Sequence, residues 1–106
     1  SLDMLGTGLE SRDYIHVNDV AQAIYLLALK KPDWAICNVA NGEEINIRRA
    51  TELFAYSAGV SRDRISFSDV LREGDPLNLR ADITRLQSLG WRKTIALEYG
   101  LKDYFT

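Results

Sequence analysis

Every extended segment in this sequence is short, and the set is too sparse for a sheet that stands alone. Leu2 to Leu5 and Ser11 to Val17 read as two extended pieces around a turn at Gly6-Thr7-Gly8. Trp34 to Ala40 reads as a short buried strand, stopped by the turn signal Asn41-Gly42. Ile45 to Ile47 is brief and extended, and Arg64 to Val70 alternates like a strand. Between these pieces lie helical patterns. The first begins after a cap at Asn18 or Asp19 and runs to about Leu29, with Val20, Ile24, Leu27 and Ala28 as its apolar face. The second spans about Ile47 to Ala58, capped by Asn46 and ended by Gly59, with Ile47, Ala50, Leu53 and Phe54 inward. Asp82 caps a short helix ending at Leu89-Gly90. A last helix starts near Thr94 and carries Leu97, Leu101, Tyr104 and Phe105 as a stripe. The expected class is mixed α/β of an α+β-like kind, about four helices with a few short strands. Several apolar faces are then left to pack on something outside the chain.

At 106 residues the length fits one domain or part of one. The net charge of −2 argues against a nucleic-acid partner, which leaves a basic patch. Lys30-Lys31 and Arg48-Arg49 read as solvated helix faces. No apolar run approaches the ~18 residues a membrane span needs, so no membrane partner is expected. The single Cys37, inside an apolar run, reads as a small core residue and fits a reducing, cytoplasmic setting. One histidine and one cysteine cannot make a zinc site, so no metal is expected. The chain opens on Ser1-Leu2-Asp3 without an initiator Met, which reads as a piece of a longer product.

Gly6-Thr7-Gly8-Leu9-Glu10-Ser11 approaches a dinucleotide loop but lacks the context. Such a loop follows a strand and opens a helix, whereas an extended segment follows here, so a hairpin turn is expected. Tyrosine four residues before lysine, the pair that supplies a phenolate base in short-chain dehydrogenases, is absent. Leu26, Leu27, Leu89 and Glu98 stand four residues before Lys30, Lys31, Lys93 and Lys102. No nucleophile–base order is persuasive, and His16 reads as a hydrogen-bonded structural residue. No catalytic residue is therefore assigned.

Two polar knots remain. In Arg12-Asp13-Tyr14-Ile15-His16-Val17-Asn18-Asp19, an arginine sits where a simple buried strand would be apolar. It either forks onto phosphate oxygens or pairs with Asp13 or Glu10. In Arg72-Glu73-Gly74-Asp75-Pro76, Gly74 permits a tight loop. Arg72 there would meet a phosphate oxygen, and Asp75 would accept hydrogen bonds from two ribose hydroxyls. The alternative is a solvated loop.

At these residues the chain resembles the C-terminal portion of extended short-chain dehydrogenases, the NAD-dependent epimerase/dehydratase family. The likeness rests on Gly6-Thr7-Gly8 with Arg12-Asp13-Tyr14-Ile15-His16-Val17-Asn18-Asp19-Val20, on Asn38-Val39-Ala40-Asn41-Gly42 and on Arg72-Glu73-Gly74-Asp75. Ala81-Asp82-Ile83 with Leu89-Gly90-Trp91, and Leu97-Glu98-Tyr99-Gly100-Leu101, continue it in order. The resemblance implies the substrate-binding part of a Rossmann-type enzyme, with the UDP-glucose 4-epimerases as the closest-looking branch. It implies a nucleoside-diphosphate sugar as ligand, Arg12 and Arg72 on the diphosphate, and Asp75 on the ribose. It implies a homodimeric parent that uses NAD, the NAD loop and catalytic pair lying upstream, so that this piece alone binds no cofactor and does not turn over. A sugar-nucleotide 4,6-dehydratase, a non-catalytic binding module and a redox-sensing regulator of the same superfamily are the alternatives.

Overall fold

The computed structural model describes residues 2–71, 73, 74 and 76–105. The expected class holds: among these residues there are four α-helices and four short strands. β1 (Leu2–Met4) pairs in parallel with β4 (Ile65–Phe67), placing Leu2 opposite Ile65 and Met4 opposite Phe67. β2 (Ser11–Arg12) pairs antiparallel with β3 (Ile45–Asn46), placing Ser11 opposite Asn46. Ser11 also bridges in parallel to Asn78. The strands thus form two separate two-stranded ladders. The hairpin expected at Gly6-Thr7-Gly8 does not form, because β1 and β2 belong to different ladders. The glycines still serve a turn, with φ of 90° at Gly6 and 84° at Gly8.

α1 (Val17–Lys30) begins two to three residues earlier than a cap at Asn18 or Asp19 implies. Its cap is neither Asn18 nor Asp19. The His16 ring accepts the Asn18 N–H at 3.0 Å through Nδ1, while Asp19 is turned inward. The buried face is also rotated: Asp19 and Ala23 are covered, whereas Ile24 is 60% exposed and Ala28 is exposed. A buried carboxylate in the first turn sets that rotation, which an apolar count cannot register. α2 (Ile47–Ser57) follows β3 directly, and its Asn46 cap accepts the Arg49 N–H at 2.7 Å, as expected. Ser57 is followed by Gly59 at φ 75°, the expected stop. α3 (Thr84–Ser88) starts two residues after Asp82, whose carboxylate accepts the Thr84 N–H at 2.9 Å. α4 (Leu97–Tyr104) starts after Ala96 rather than near Thr94, because Thr94 is held by Asp19.

The strand expected at Trp34 to Ala40 does not form. It has no ladder partner among the described residues, and Ile36 is 72% exposed. Side chains take its polar groups instead: the Arg85 guanidinium donates to the Ile36 carbonyl at 2.8 Å, and the Asn38 amide donates to the Asp82 carbonyl at 3.2 Å.

Ala23, Ile83, Leu86 and Trp91 form the buried cluster, against which Leu26, Leu27, Cys37 and Val39 pack. A second contact joins α2 to α4, where the Phe54 and Phe105 rings meet edge to face at 5.0 Å. The slab measures 48 × 36 × 13 Å, with a radius of gyration of 16.2 Å. A compact chain of this length has a radius of about 13 Å. The excess matches the apolar surface left in solvent, including Val17, Tyr25 and Leu29 on α1. No helix among the described residues is long and apolar enough to cross a membrane.

Candidate functional site

β2 positions the first polar knot. Ser11 is buried and stitched on both sides: its N–H donates to the Leu77 carbonyl at 2.8 Å, and its carbonyl accepts the Leu79 N–H at 3.1 Å. Its hydroxyl donates to Glu44 at 2.8 Å and lies 2.9 Å from the Asn78 side-chain amide. This stitch brings residues 76–79 alongside residues 10–12.

Arg12 lies at the seam. Its guanidinium donates to the Ser11 carbonyl at 2.7 Å and to the Pro76 carbonyl at 3.1 Å. The pairing with Asp13 or Glu10 weighed from sequence is not made, because both carboxylates are engaged elsewhere. Asp13 accepts the Asn41 and Gly42 N–H groups, each at 2.8 Å. Glu10 accepts the Thr7 N–H at 3.0 Å, the Thr7 hydroxyl at 3.1 Å and the Gly8 N–H at 3.0 Å. Those donors, the Thr7 N–H foremost, hold the Glu10 carboxyl below its ordinary range against the opposing effect of burial.

A cleft of about 420 Å³ opens beside Arg12, walled by Glu10, Gly6, Val70, Leu71 and Leu77. Its far wall flanks the second polar knot on both sides. Arg72 and Asp75 themselves lie outside the described residues. Gly74 between them has φ 87° and open space where a Cβ would stand, the geometry of a tight exposed turn. Among the described residues, Arg12 lies beside Val70, Leu71, Pro76 and Leu77, which border Arg72 and Asp75 in the sequence.

A larger hollow of about 480 Å³ lies elsewhere, walled by Tyr14, His16, Phe54, Leu97, Leu101 and Tyr104. It is mainly apolar and has no lysine or arginine in its walls, and His16 there is occupied as a helix cap. The cleft at Arg12, unlike that hollow, has a guanidinium in its walls; two further clefts, one beside Arg49 and Arg62 and one beside Arg48 and Arg62, also carry arginines. Among the described residues no cluster of metal-binding side chains occurs.

Sequence reasoning missed Glu10, Ser11 and the inward role of Asp19. An acidic residue two positions after a Gly-x-Gly turn was the available signal for Glu10. Ser11 and Asp19 carried none, since their partners are 33 to 76 residues away.

Residues 1–47 match the NAD dependent epimerase/dehydratase family. The chain is 33% identical to a putative UDP-glucose 4-epimerase of Methanocaldococcus jannaschii, over 93% of this chain and 31% of that protein. It is 33% identical to GDP-L-fucose synthase of Escherichia coli, over 94% of this chain and 33% of that protein. In structure it resembles UDP-glucose 4-epimerase of Thermotoga maritima solved with UDP-glucose. That match has a TM-score of 0.84 and 29% identity over 99% of this chain and 34% of the other. The chain spans about a third of the length of the relatives it matches.

Proposed function

We propose that the chain belongs to the NAD dependent epimerase/dehydratase family, whose model residues 1–47 match, and that it forms one side of the substrate site of a nucleotide-sugar epimerase of the UDP-glucose 4-epimerase kind. In this reading it is the C-terminal, nucleotide-sugar-binding region of a longer, homodimeric cytoplasmic enzyme. The observation that carries the reading is Arg12, fixed at the mouth of a cleft and paired with neither adjacent carboxylate. A planar guanidinium held by carbonyl oxygens keeps further N–H donors for phosphate oxygens.

The roles follow from chemistry. Arg12 binds one phosphate of the diphosphate and Arg72 the other, by charge-assisted hydrogen bonds. Asp75 accepts from the ribose hydroxyls. NAD, bound by residues outside this chain, supplies hydride transfer to and from the sugar. What this chain contributes is binding and orientation, so by itself it binds no cofactor and does not turn over. The T. maritima enzyme's UDP-glucose supports a uridine nucleotide. The equal identity to a GDP-L-fucose synthase keeps guanosine nucleotides in the comparison.

The test is calorimetric titration of the full-length protein with UDP-, dTDP-, GDP- and CDP-sugars. One class should bind, and Arg12→Ala and Arg72→Ala should each weaken that class by about 2 kcal/mol, the scale of a charge-assisted hydrogen bond. Unchanged affinity in both variants would remove the cleft from the substrate site. Turnover by residues 1–106 alone would overturn the assignment of the chemistry to other residues.

A further inference from the structure

The Gly6-Thr7-Gly8 turn aims two successive backbone N–H groups at one point, a concavity suited to an anion. Its anion is internal. The Glu10 carboxylate occupies it, with three donors at 3.0 to 3.1 Å, and Glu10 is only 9% exposed. A Cβ on Gly6 would stand 2.9 Å from Glu10 Oε1, so the turn closes on the carboxylate.

The turn then reaches both sides of the cleft. The Gly6 N–H donates to the Val70 carbonyl at 2.9 Å, and the Gly6 carbonyl accepts the Asp69 N–H at 2.9 Å. The Gly8 carbonyl accepts the Arg48 N–H at 2.9 Å, and the Glu10 carbonyl accepts the Ile47 N–H at 2.7 Å. Glu10 and Arg12 stand two residues apart on an extended segment, so they share a face. Both line the 420 Å³ cleft.

Resting on the reading of that cleft as a diphosphate site, we infer that Glu10 is a positioning residue for it. Its carboxylate clamps the Gly6–Gly8 turn and thereby fixes the spacing between Arg12 and the Val70–Leu71 wall. It touches no phosphate. Three donors of the turn stabilise the carboxylate's charge, and the Arg12 guanidinium in the same cleft offsets it. Glutamine cannot replace it: one oxygen serves one side of the clamp, and its NH₂ meets an N–H donor on the other.

The experiment titrates inorganic pyrophosphate into the full-length protein saturated with NAD, for the wild type, Glu10→Gln, Arg12→Ala and Thr7→Val. NAD affinity is measured on the same proteins. Glu10→Gln should weaken pyrophosphate by about tenfold, the scale of one hydrogen bond, with NAD affinity unchanged. Thr7→Val, which removes only the hydroxyl donor, should weaken it by about threefold. If Arg12→Ala weakens pyrophosphate and Glu10→Gln does not, the clamp is overturned and the site stands. If neither changes it, the site falls and the clamp with it. A parallel loss of NAD affinity in Glu10→Gln would mark a general structural role and overturn the inference. Should Glu10→Gln not fold, Thr7→Val decides alone: weaker pyrophosphate supports the clamp and unchanged pyrophosphate overturns it.

Discussion

Asp19 binds Thr94 twice across 75 residues of sequence: its Oδ1 accepts the Thr94 hydroxyl at 2.7 Å and the Thr94 N–H at 3.0 Å. Its other oxygen accepts the Ile95 N–H at 3.1 Å, and its backbone carbonyl accepts the Trp91 indole N–H at 3.1 Å. One residue in the first turn of α1 therefore secures the connection between α3 and α4.

That arrangement makes Asp19 a stability residue of a particular kind. It is 1% exposed, so any donor it abandons loses its partner away from water. Asp19→Asn keeps the shape but turns an NH₂ toward an N–H donor. It should lower unfolding stability by about 2 kcal/mol in urea titration. Amide hydrogen exchange should accelerate over residues 94–104 before it does so in α2. An unshifted urea midpoint would remove Asp19 from this role.

The same carboxylate sets an acid dependence. Burial pushes the Asp19 carboxyl up, but the hydrogen bonds from the Thr94 hydroxyl and from the Ile95 and Thr94 N–H groups outweigh it and hold it below its ordinary value. A depressed folded value means that the charged form stabilises the fold. This contribution is complete above the unfolded value and is lost as pH falls from about 3.8 through the lowered folded value. Urea midpoints measured between neutral and acid pH should fall in that window for the wild type. The fall should be smaller in Asp19→Asn. Equal acid slopes for the two proteins would contradict the assignment.

What the sequence revealed was local. Asn46 caps α2 and Gly59 ends it because both act on backbone within a few residues. Arg12 was legible as an out-of-place charge in an extended run. Glu10 and Asp13 were read as possible partners of Arg12, and Asp19 as a helix cap, yet each carboxylate holds backbone N–H groups in a turn or loop. A backbone donor leaves no mark in the sequence, so Asp13 could not be matched with Asn41 and Gly42, 28 and 29 residues on. The Trp34–Ala40 strand failed for a related reason. Its apolar pattern was present, but a strand needs a neighbour, and among the described residues Arg85 and Asn38 bonds replaced one.

Gly42 is constrained twice over, and Gly59 once. Gly42 has φ 81°, and a Cβ there would stand 2.6 Å from Ile83 Cδ1 in the buried cluster. Gly59 has φ 75° with nothing within 4 Å of its Cβ position. Gly59→Ala therefore meets backbone strain alone, about 1 kcal/mol. Gly42→Ala adds displacement of Ile83 and should cost about 3 kcal/mol in thermal or urea unfolding. Equal losses at the two positions would show that the contact with Ile83 carries no cost.

His16 and Gly100 meet where α1 begins and α4 passes. The ring caps α1 through Nδ1, which requires the ring proton to sit on Nε2. A Cβ on Gly100 would lie 2.9 Å from the His16 Cδ2 atom. Two effects then compete in Gly100→Ala. Alanine favours the helix over glycine by about 1 kcal/mol, but it drives the ring off its cap, which costs about 1 kcal/mol. The single variant should be near neutral. His16→Ala alone should lose about 1 kcal/mol. In that background the ring is gone, so Gly100→Ala should recover about 1 kcal/mol. A double-mutant cycle in urea measures this coupling directly. Additive behaviour would mean that the ring yields without leaving the cap.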